Sequence, residues 1–427
     1  MQYRAAKGMN DILPDEVRRW QALETAFRST VERYGYGEIR TPLLEPTELF
    51  VRSVGETTDI VQKEMFTLDH HGDSLTLRPE GTASAARAYV EHTVGAREPV
   101  TRWYFLGPMF RAERPQRGRY RQFYQAGCEV FGDPGPACDA EMIDMLYRFF
   151  GALGIGGVEV LVNSLGGKGT RERYRELLRA HLLPRAEELS ENARKRLDDN
   201  PLRILDSKNP RDQELASSAA PILDILDDAD RAHWDGLRRH LDALGVPYRV
   251  EPRLVRGLDY YTRTLFELQS SAGSLGAQNA LGGGGRYDAM IQELGGQSVP
   301  AIGFAIGLER VLLAMGEREQ ASETCCFIAP IGERAVSRGL VLARELRDRG
   351  IRTELDGRGG SVKSMLRRAN ALGARACLLL GDAELERGVV KIKDLAGHTE
   401  QEEPLAAAAD RIAELVAVPV SKHEDPR

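Results

Sequence analysis

The segment RGLDYYTRTLFE, residues 256–267, carries a cation, a carboxylate and two adjacent phenols within one short stretch. Its alternating side chains and its Thr, Tyr, Leu and Phe residues predict a strand. A half-buried strand needs neither Arg256 nor the pair Tyr260 and Tyr261 for its stability. These residues are therefore candidates for contact with a polar ligand.

A second set of candidates lies in the hairpin predicted for residues 101–132, whose two strand-like arms flank a polar loop. Strict alternation in the second arm places Gln125, Gly127 and Glu129 on one face. Because Gly127 leaves a gap between an amide and a carboxylate, a small cationic or hydrogen-bonding ligand fits there. The alternative is the outward polar face of an ordinary hairpin.

The loop of this hairpin is rich in arginine. ERPQRGRY, with Arg111 before it and Arg121 after it, gives five arginines and one glutamate in eleven residues. Because a guanidinium group matches two phosphate oxygens at once, a nucleotide or an RNA backbone is the expected partner. A solvated surface loop is the alternative.

Two further segments place polar residues where the chain turns. In LRPEGT, Glu80 and Thr82 lie at a predicted strand-to-helix corner, although capping of the helix is the alternative role for each. In GFAIGLERVLL, Arg310 lies in the first turn of a predicted helix. Gly303 and Gly307, just before it, let a flat or phosphate-bearing group approach the backbone. An ordinary surface arginine is the alternative for Arg310.

Common nucleotide-binding and catalytic motifs are excluded. LGGKGT, residues 165–170, fails the phosphate-loop pattern twice, because Val162 replaces the first glycine and Gly169 the hydroxyl residue. GGGGRYD lacks the third glycine of a dinucleotide fingerprint, and no GxSxG or HExxH occurs. The five cysteines show neither a CxxC pair nor metal-ligand spacing, so we predict reduced thiols and no metal site built by the protein.

Size and composition predict a multidomain protein. The 427 residues are too many for one ordinary core, so two or three domains are expected. A net charge of −6 argues against a general nucleic-acid coat but leaves room for a local basic face. The sequence has no apolar run of membrane-spanning length and no signal-peptide core, so we expect a cytoplasmic protein without a membrane partner.

Changes in sequence pattern predict where the domains begin and end. Residues 168–249 are highly charged and show helical apolar stripes, which predicts a helical insertion. A break near Gln320 separates residues 1–322 from residues 323–427, where CCFIAPIG, IRTELD, ACLLLGD and VVKIKDL predict four strands with helices between the first three. Residues 334–393 hold 14 Lys or Arg against 7 Asp or Glu, which indicates either a solvated face or contact with RNA.

Together these segments resemble the three signature motifs of class II aminoacyl-tRNA synthetases, found here as YGYGEIRTPLLEP, FRAERPQRGRYRQFYQ and GFAIGLERVLL. RGLDYYTRTLFE and LGGGGRYD are similar to two signatures of the histidyl-tRNA synthetase family, and the resemblance covers nearly the whole chain. It implies an α+β fold with a class II catalytic core, an antiparallel sheet flanked by helices, over residues 1–322. The helical insertion interrupts this core, and an α/β anticodon-binding domain follows over residues 323–427.

The resemblance also implies the activity of that family, the ATP-dependent and Mg²⁺-assisted activation of L-histidine and its transfer to tRNA(His). Arg111 and Arg256 would be catalytic and would bind the α-phosphate of ATP, while Arg310 would lie along adenine and reach the γ-phosphate. The implied histidine-binding residues are Glu80, Thr82, Gln125, Glu129, Tyr260 and Tyr261. The residues implied to meet the acceptor stem of the tRNA are Arg114, Gln116, Arg117 and Arg119.

The resemblance implies a homodimer, with Pro42 and its flanking strand at the interface. A non-catalytic paralogue that regulates histidine biosynthesis by binding a partner enzyme is the main alternative. Such paralogues lose the catalytic arginines and the terminal domain, whereas Arg111, Arg256 and Arg310 are all present here. A synthetase for proline or glycine conflicts with RGLDYY and LGGGGRYD, and an RNA-binding module leaves the ATP-type motifs unexplained.

Overall fold

In the computed structural model, the chain is described over residues 3–56, 58–272, 275, 279–316 and 325–417. It divides into two compact units, residues 1–318 and 319–427. The boundary predicted between residues 322 and 323 lies outside the described residues. Over the described ranges, no helix is long and apolar enough to cross a membrane.

The first unit contains eleven strands and ten α-helices within its described part. The strands are β1 (Gly37–Glu38), β2 (Leu44–Pro46), β3 (Phe66–His70), β4 (Asp73–Leu77), β5 (Thr101–Phe110), β6 (Gln122–Phe131), β7 (Val158–Ser164), β8 (Tyr248–Val250), β9 (Thr262–Ser270), β10 (Ala280–Arg286) and β11 (Ala301–Gly307). The helices are α1 (Pro14–Arg33), α2 (Thr47–Val54), α3 (Thr82–Glu91), α4 (Pro136–Ala152), α5 (Lys168–Leu182), α6 (Glu191–Asp199), α7 (Pro210–Ser217), α8 (Asp228–Leu244), α9 (Met290–Glu293) and α10 (Leu308–Met315).

Eight strands form the main sheet, in the order β1-β5-β6-β11-β10-β9-β7-β8. The six inner strands, from β5 to β7 in this order, pair antiparallel with one another. The short edge strands β1 and β8 pair parallel to β5 and β7, so the sheet is mixed at its two edges. The predicted α+β class with an antiparallel core flanked by helices is confirmed.

Helices cover both faces of this sheet. On one face, α1, α4, α8 and α10 contribute buried apolar residues such as Phe27, Met142, Leu237 and Val311 to one core cluster. On the other face, the core joins α3 to the insertion, with buried residues such as Tyr89, Leu178 and Leu202. The predicted insertion therefore folds as helices α5 to α8, of which α8 belongs to the first core cluster and α5 to α7 belong to the second.

A small antiparallel sheet in the order β2-β4-β3 stands beside the main one. Its register aligns Leu44, Leu77 and Phe66 across the three strands. Glu45 and Thr76, on the other face, are buried at 4% and 0% exposure, whereas Leu44 is 40% exposed. The more apolar face of this small sheet is therefore turned outward.

The second unit is an α/β domain. Its elements are β12 (Cys325–Ile331), α11 (Glu333–Asp348), β13 (Arg352–Leu355), α12 (Val362–Ala371), β14 (Ala374–Gly381), α13 (Asp382–Arg387), β15 (Val389–Asp394), β16 (Thr399–Pro404) and α14 (Ala408–Ala417). The sheet order is β13-β12-β14-β15-β16, parallel between the first three strands and antiparallel between the last ones. Four strands match the predicted ones, while the fifth strand β16 and the short helix α13 were not predicted.

The strand predicted for the whole of residues 256–267 is wrong in its first half. Residues 256–261 form an irregular loop, and β9 begins only at Thr262. The backbone carbonyls of Arg256 and Gly257 accept hydrogen bonds from the Arg203 side chain at 3.3 and 2.7 Å. Side-chain donors thus replace the strand partners that this part of the backbone lacks.

Candidate active site

A cavity of about 340 Å³ opens over β6, β11 and β10 of the main sheet. Nine of the residues predicted to bind substrate or tRNA line it: Glu80, Thr82, Arg111, Arg119, Gln125, Arg256, Tyr260, Tyr261 and Arg310. The structure therefore brings together side chains from positions 80 to 310 of the chain. Because such convergence of charged and aromatic groups is typical of a ligand site, this cavity is the candidate active site.

The floor of the cavity is built from backbone. Four consecutive glycines, Gly282–Gly285, form the middle of β10 between β9 and β11. A Cβ on Gly283 would lie 2.6 Å from the Phe266 carbonyl oxygen, and one on Gly282 would lie 2.5 Å from Ile306 Cγ2. Only glycine therefore fits at these positions, and the part of the floor formed by Gly282 and Gly283 has no side chain to keep a planar group away.

Glu129 lies beneath the cavity, fully buried on β6. Its carboxylate accepts hydrogen bonds from the Thr82 hydroxyl at 2.6 Å and from the Tyr287 hydroxyl. On the neighbouring strand, a Cβ at Gly303 would collide with Glu129 Oε2, so that glycine makes room for the carboxylate. Burial raises the pKa of Glu129 to about 8, against the two hydrogen bonds that favour its charge.

Glu80 and Thr82 lie at the start of α3, as the predicted strand-to-helix corner requires. The Glu80 carboxylate accepts from the backbone N–H groups of Thr82 and Ala83 at 2.8 and 2.7 Å, so it caps the helix. Burial raises the pKa of Glu80 in spite of these two hydrogen bonds. Thr82 is the first helical residue and directs its hydroxyl to Glu129, so it is not the N-cap.

Gln125 lines the cavity from β6, two residues before Gly127 as the alternation predicts. Its Oε1 atom is buried and has no hydrogen-bond partner among the described residues. A buried amide oxygen without a donor costs free energy, and a ligand N–H group would remove that cost. Gln125 is therefore arranged to accept a hydrogen bond from a ligand.

Three tyrosines form the aromatic wall of the cavity. The rings of Tyr260 and Tyr261 lie 4.6 Å apart, and the rings of Tyr260 and Tyr287 lie 5.5 Å apart. Burial raises the pKa of all three phenols, so each keeps its proton and can donate it in a hydrogen bond.

Four arginines line the cavity, and three of them, Arg111, Arg256 and Arg310, are the predicted ATP-binding residues. Arg111 donates from Nε to the Pro79 carbonyl at 2.9 Å, and its guanidinium lies 5.3 Å from the centre of the Phe123 ring. Arg256 forms an ion pair with Glu267. Arg310 donates to the carbonyl oxygens of Gly118 and Ala280, both at 3.2 Å. Each guanidinium is thus held by the protein while it lines the cavity, which suits a polyanionic ligand.

The arginine-rich loop of the hairpin divides into two parts. Arg114, Gln116 and Arg117 are exposed and lie outside the cavity. Arg119 reaches the cavity and pairs with Glu113 at 2.8 Å. The exposed part of the loop is free to meet a large partner at the mouth of the site.

Sequence reasoning assigned no role to several residues that line the cavity, among them Tyr287, Glu267 and Glu113. Tyr287 belongs to LGGGGRYD, which was used as a family signature without a role for its tyrosine, and Glu267 is the last residue of RGLDYYTRTLFE. Glu113 was counted only as the acid of the arginine-rich loop. The alternation of a strand gave no signal for Tyr287, because it lies just after β10 ends at Arg286.

The described residues show no group of three or more His, Cys, Asp or Glu side chains that could hold a metal ion.

In the second unit, α12 carries exposed Lys363 and Arg367, and Arg358 precedes it with a 74% exposed side chain. Arg358 and Arg368 both contact Asp356, at 2.8 and 3.0 Å. The basic segment 358–368 is therefore a real surface feature of this unit.

Family models match both units. The model described as histidyl-tRNA synthetase matches residues 8–311, and the model described as anticodon binding domain matches residues 325–415. The first match alone covers more than half of the chain.

Individual relatives are similar to this chain over nearly its full length. A histidine--tRNA ligase of Sorangium cellulosum is 64% identical over 414 residues, which are 97% of this chain and 97% of that protein. A histidine--tRNA ligase of Syntrophotalea carbinolica is 46% identical over 95% of this chain and 96% of that protein. The crystal structure of apo S. aureus histidyl-tRNA synthetase superposes with a TM-score of 0.82 at 33% identity, covering 96% of this chain and 99% of that one.

Proposed function

Since this chain belongs to the histidyl-tRNA synthetase family and charges tRNA with histidine, we propose that the cavity over β6, β11 and β10 is where histidine is activated and transferred. The 64% and 46% identity to histidine--tRNA ligases over nearly the full length excludes the alternative of a regulatory paralogue. The single observation that carries the assignment is fully buried Glu129 beneath a cavity that four guanidinium groups line. We also propose a catalytic domain over residues 1–322 and an anticodon-binding domain over residues 323–427.

The first step needs positioning more than proton transfer. The histidine carboxylate attacks the α-phosphorus of ATP in line, and pyrophosphate leaves. Arg111 and Arg256 bind the α-phosphate and stabilise the charge that develops on it. Arg310 lies along adenine, over the glycine floor of β10, and reaches the γ-phosphate. A hydroxyl of the terminal ribose of the tRNA then attacks the histidyl carbonyl of the adenylate, an ester forms and AMP leaves.

Specificity for histidine comes from hydrogen bonds that only an imidazole completes. Glu129 and Tyr261 contact the ring, since one can accept and the other can donate. The buried Oε1 of Gln125 accepts from the α-ammonium group, together with the remaining lone pairs of Glu80. The Thr82 hydroxyl donates to Glu129 and so orients that carboxylate, while its oxygen can still accept from the ammonium group. A site with such paired donors and acceptors rejects apolar amino acids by about 10⁴ or more without editing.

Mg²⁺ accompanies ATP and neutralises charge on its phosphates. Glu113 and Glu267 line the cationic part of the cavity and offer oxygen ligands of the type that Mg²⁺ prefers. Each is paired with an arginine, so the ion would compete with that arginine for the carboxylate, and phosphate and water would supply other ligands.

Two surfaces meet the tRNA. The exposed loop residues Arg114, Gln116 and Arg117, with Arg119 at the cavity, contact the acceptor stem, because the loop leads from the surface into the site. The basic segment 358–368 contacts the anticodon. We place the enzyme in the cytoplasm, where charged tRNA is used in protein synthesis.

The enzyme is a homodimer in this proposal. Pro42 precedes β2, and the outward face of the small sheet carries Leu44, Phe66, Leu68 and Leu77, with Leu44 and Leu68 each 40% exposed. An apolar sheet face of this kind is usually covered by a partner. Leu68→Glu should convert a dimer seen by sedimentation into a monomer, and a wild-type protein that sediments as a monomer would contradict the proposal.

The experiment that tests the site is ATP–pyrophosphate exchange with each of the twenty amino acids. We expect exchange with histidine alone, and Glu129→Ala should abolish it while the protein stays folded. Exchange driven by another amino acid would refute the assignment of Glu129 and Tyr261. A folded protein that is silent with all twenty would refute the proposed site altogether.

A further inference from the structure

The helical insertion holds the loop that carries Arg256 and the two tyrosines. We call residues 256–264 the recognition segment. Arg203, in the one-turn helix Pro201–Ile204, donates to the backbone carbonyls of Arg256 and Gly257 at 3.3 and 2.7 Å. Its side chain is only 13% exposed, and the positive charge of the guanidinium strengthens both hydrogen bonds.

The middle of the recognition segment is held in the same way. Asn200 donates from Nδ2 to the Asp259 carboxylate at 2.9 Å. Arg171, on α5, donates to the backbone carbonyl of Tyr261 at 3.2 Å. Outside the insertion, the Asp259 N–H group donates to the Val54 carbonyl at 3.2 Å.

The end of the recognition segment contains a bulge that α8 stabilises. The pairing of β10 with β9 jumps from Gly285↔Leu265 to Arg286↔Thr262, so two residues of β9 are extra. Arg263 has a left-handed backbone (φ 46°), which is strained for a residue with a side chain. Asp230, at the start of α8, accepts from Arg263 Nε at 3.2 Å.

The second extra residue of this bulge, Thr264, is held by Asp139 of α4 together with His233, one turn further along α8 than Asp230. The Thr264 hydroxyl donates to fully buried Asp139 at 2.5 Å, and His233 contacts the same carboxylate at 2.9 Å. Arg286, which precedes Tyr287, completes the group with a contact of 2.6 Å to Asp139. Asp230 and His233 are three residues apart, so they lie on one face of α8.

Apolar packing joins the same parts. Tyr260 and Tyr261 belong to one buried cluster with Leu202, Ile204 and Leu205 of the insertion. The insertion is thus continuous with the wall of the cavity, both in its core and in its hydrogen bonds.

We propose that the insertion positions the recognition segment for amino-acid activation, so that its role extends beyond any contact with tRNA. Arg203 and Arg171 are the positioning residues. Arg203 fixes the backbone from which the Arg256 guanidinium reaches the phosphate, and Arg171 fixes the backbone from which Tyr261 reaches the imidazole. The inference rests on the proposed function of the cavity.

The two arginines should affect different kinetic constants. Arg203→Ala should lower kcat of pyrophosphate exchange about 10- to 100-fold, as a misplaced charge near the α-phosphorus does, with a smaller change in the KM for histidine. Arg171→Ala should raise the KM for histidine about tenfold or more, with a smaller change in kcat. A loss of folded structure alone would produce no such division.

The test is ATP–pyrophosphate exchange without tRNA on the full chain, with wild type, both alanine variants and a control. The matched control is Arg179→Ala on α5, since Arg179 pairs with Asp198 inside the insertion at 2.8 Å. It should keep wild-type constants. Arg203→Lys keeps the charge and one of the two hydrogen bonds, so its kcat should lie between those of wild type and Arg203→Ala. It also serves as the readout where the alanine variant does not fold.

The outcomes separate this inference from the function it rests on. Wild-type constants in folded Arg203→Ala and Arg171→Ala, or equal losses in every constant for both, would overturn the positioning role. Wild-type protein that shows no exchange with histidine would instead refute the proposed function, and the inference with it. Faster amide hydrogen exchange over residues 256–264 in Arg203→Lys than in Arg179→Ala would support the proposal independently of activity.

Discussion

Arg256 and Glu267 form an ion pair within the cavity. Because of this pair, removal of Arg256 should lower the reaction rate by more than the loss of one contact with ATP would. Arg256→Ala removes a preorganised charge from the α-phosphate, which costs about 10²–10³ in rate. It also leaves the Glu267 carboxylate facing the same cavity without its cation. The side chain of Glu267 is only 16% exposed, so water screens that charge poorly.

We therefore expect Arg256→Ala to lower the rate of ATP–pyrophosphate exchange by about 10²–10³ because the contact is lost. Repulsion between Glu267 and the phosphates should lower it by roughly a further tenfold. Arg256→Ala combined with Glu267→Gln should recover about that tenfold, since a glutamine is neutral. Glu267 already accepts from Gln269 Nε2 at 2.7 Å, and a glutamine amide at this position can keep that hydrogen bond. Histidine binding should change less than catalysis.

The assay measures kcat and KM for both substrates in the two single variants and the double variant. Calorimetric histidine titration and thermal unfolding serve as controls for the fold. Unchanged exchange in Arg256→Ala would remove Arg256 from the mechanism. A double variant no faster than Arg256→Ala would show that the charge of Glu267 does not reach the phosphates.

Three further outcomes follow from the site and the second unit. Because burial raises the pKa of Glu129 from 4.5 to about 8, the folded state holds its proton more tightly than the unfolded state. Wild-type stability should therefore fall between pH 4.5 and 8 relative to Glu129→Gln, by at most about 5 kcal/mol, in urea unfolding followed by tryptophan fluorescence; a pH-independent difference would contradict this. Gly303→Ala places a Cβ against Glu129 and should raise the KM for histidine about tenfold or more. An unchanged KM would show that Glu129 does not bind histidine. Reversing the charges of Arg358 and Arg367 should lower tRNA charging about tenfold and leave pyrophosphate exchange intact, and unaffected charging would count against that surface.

Local patterns predicted the parts of the site that lie on regular elements. Strict alternation in β6 placed Gln125 and Glu129 on one face, and the strand-to-helix corner placed Glu80 at the start of a helix. The period of a strand is reliable here because ten residues of β6 pair without a break with β5. The recognition segment followed no such rule, because its hydrogen bonds come from Arg171 and Arg203, far away in the sequence.

The fifth strand of the second unit was missed for a different reason. TEQEEP in β16 is rich in glutamate, which disfavours strands. Its partner β15 supplies Lys391 and Lys393, which lie 3.8 and 3.6 Å from the carboxylate of Glu400. Cross-strand charge pairs thus support an edge strand that local preference does not predict.

The four glycines of β10 also limit how this protein can change over evolutionary time. Every substitution of a glycine adds a Cβ, and at Gly282–Gly285 that atom meets neighbouring backbone or side chains at once. Any substitution at these positions therefore forces the backbone to move, whatever the chemistry of the new side chain, and is selected against for that reason. Adaptation of the site to a different amino acid has to come from its walls, and in particular from the loop that the insertion holds.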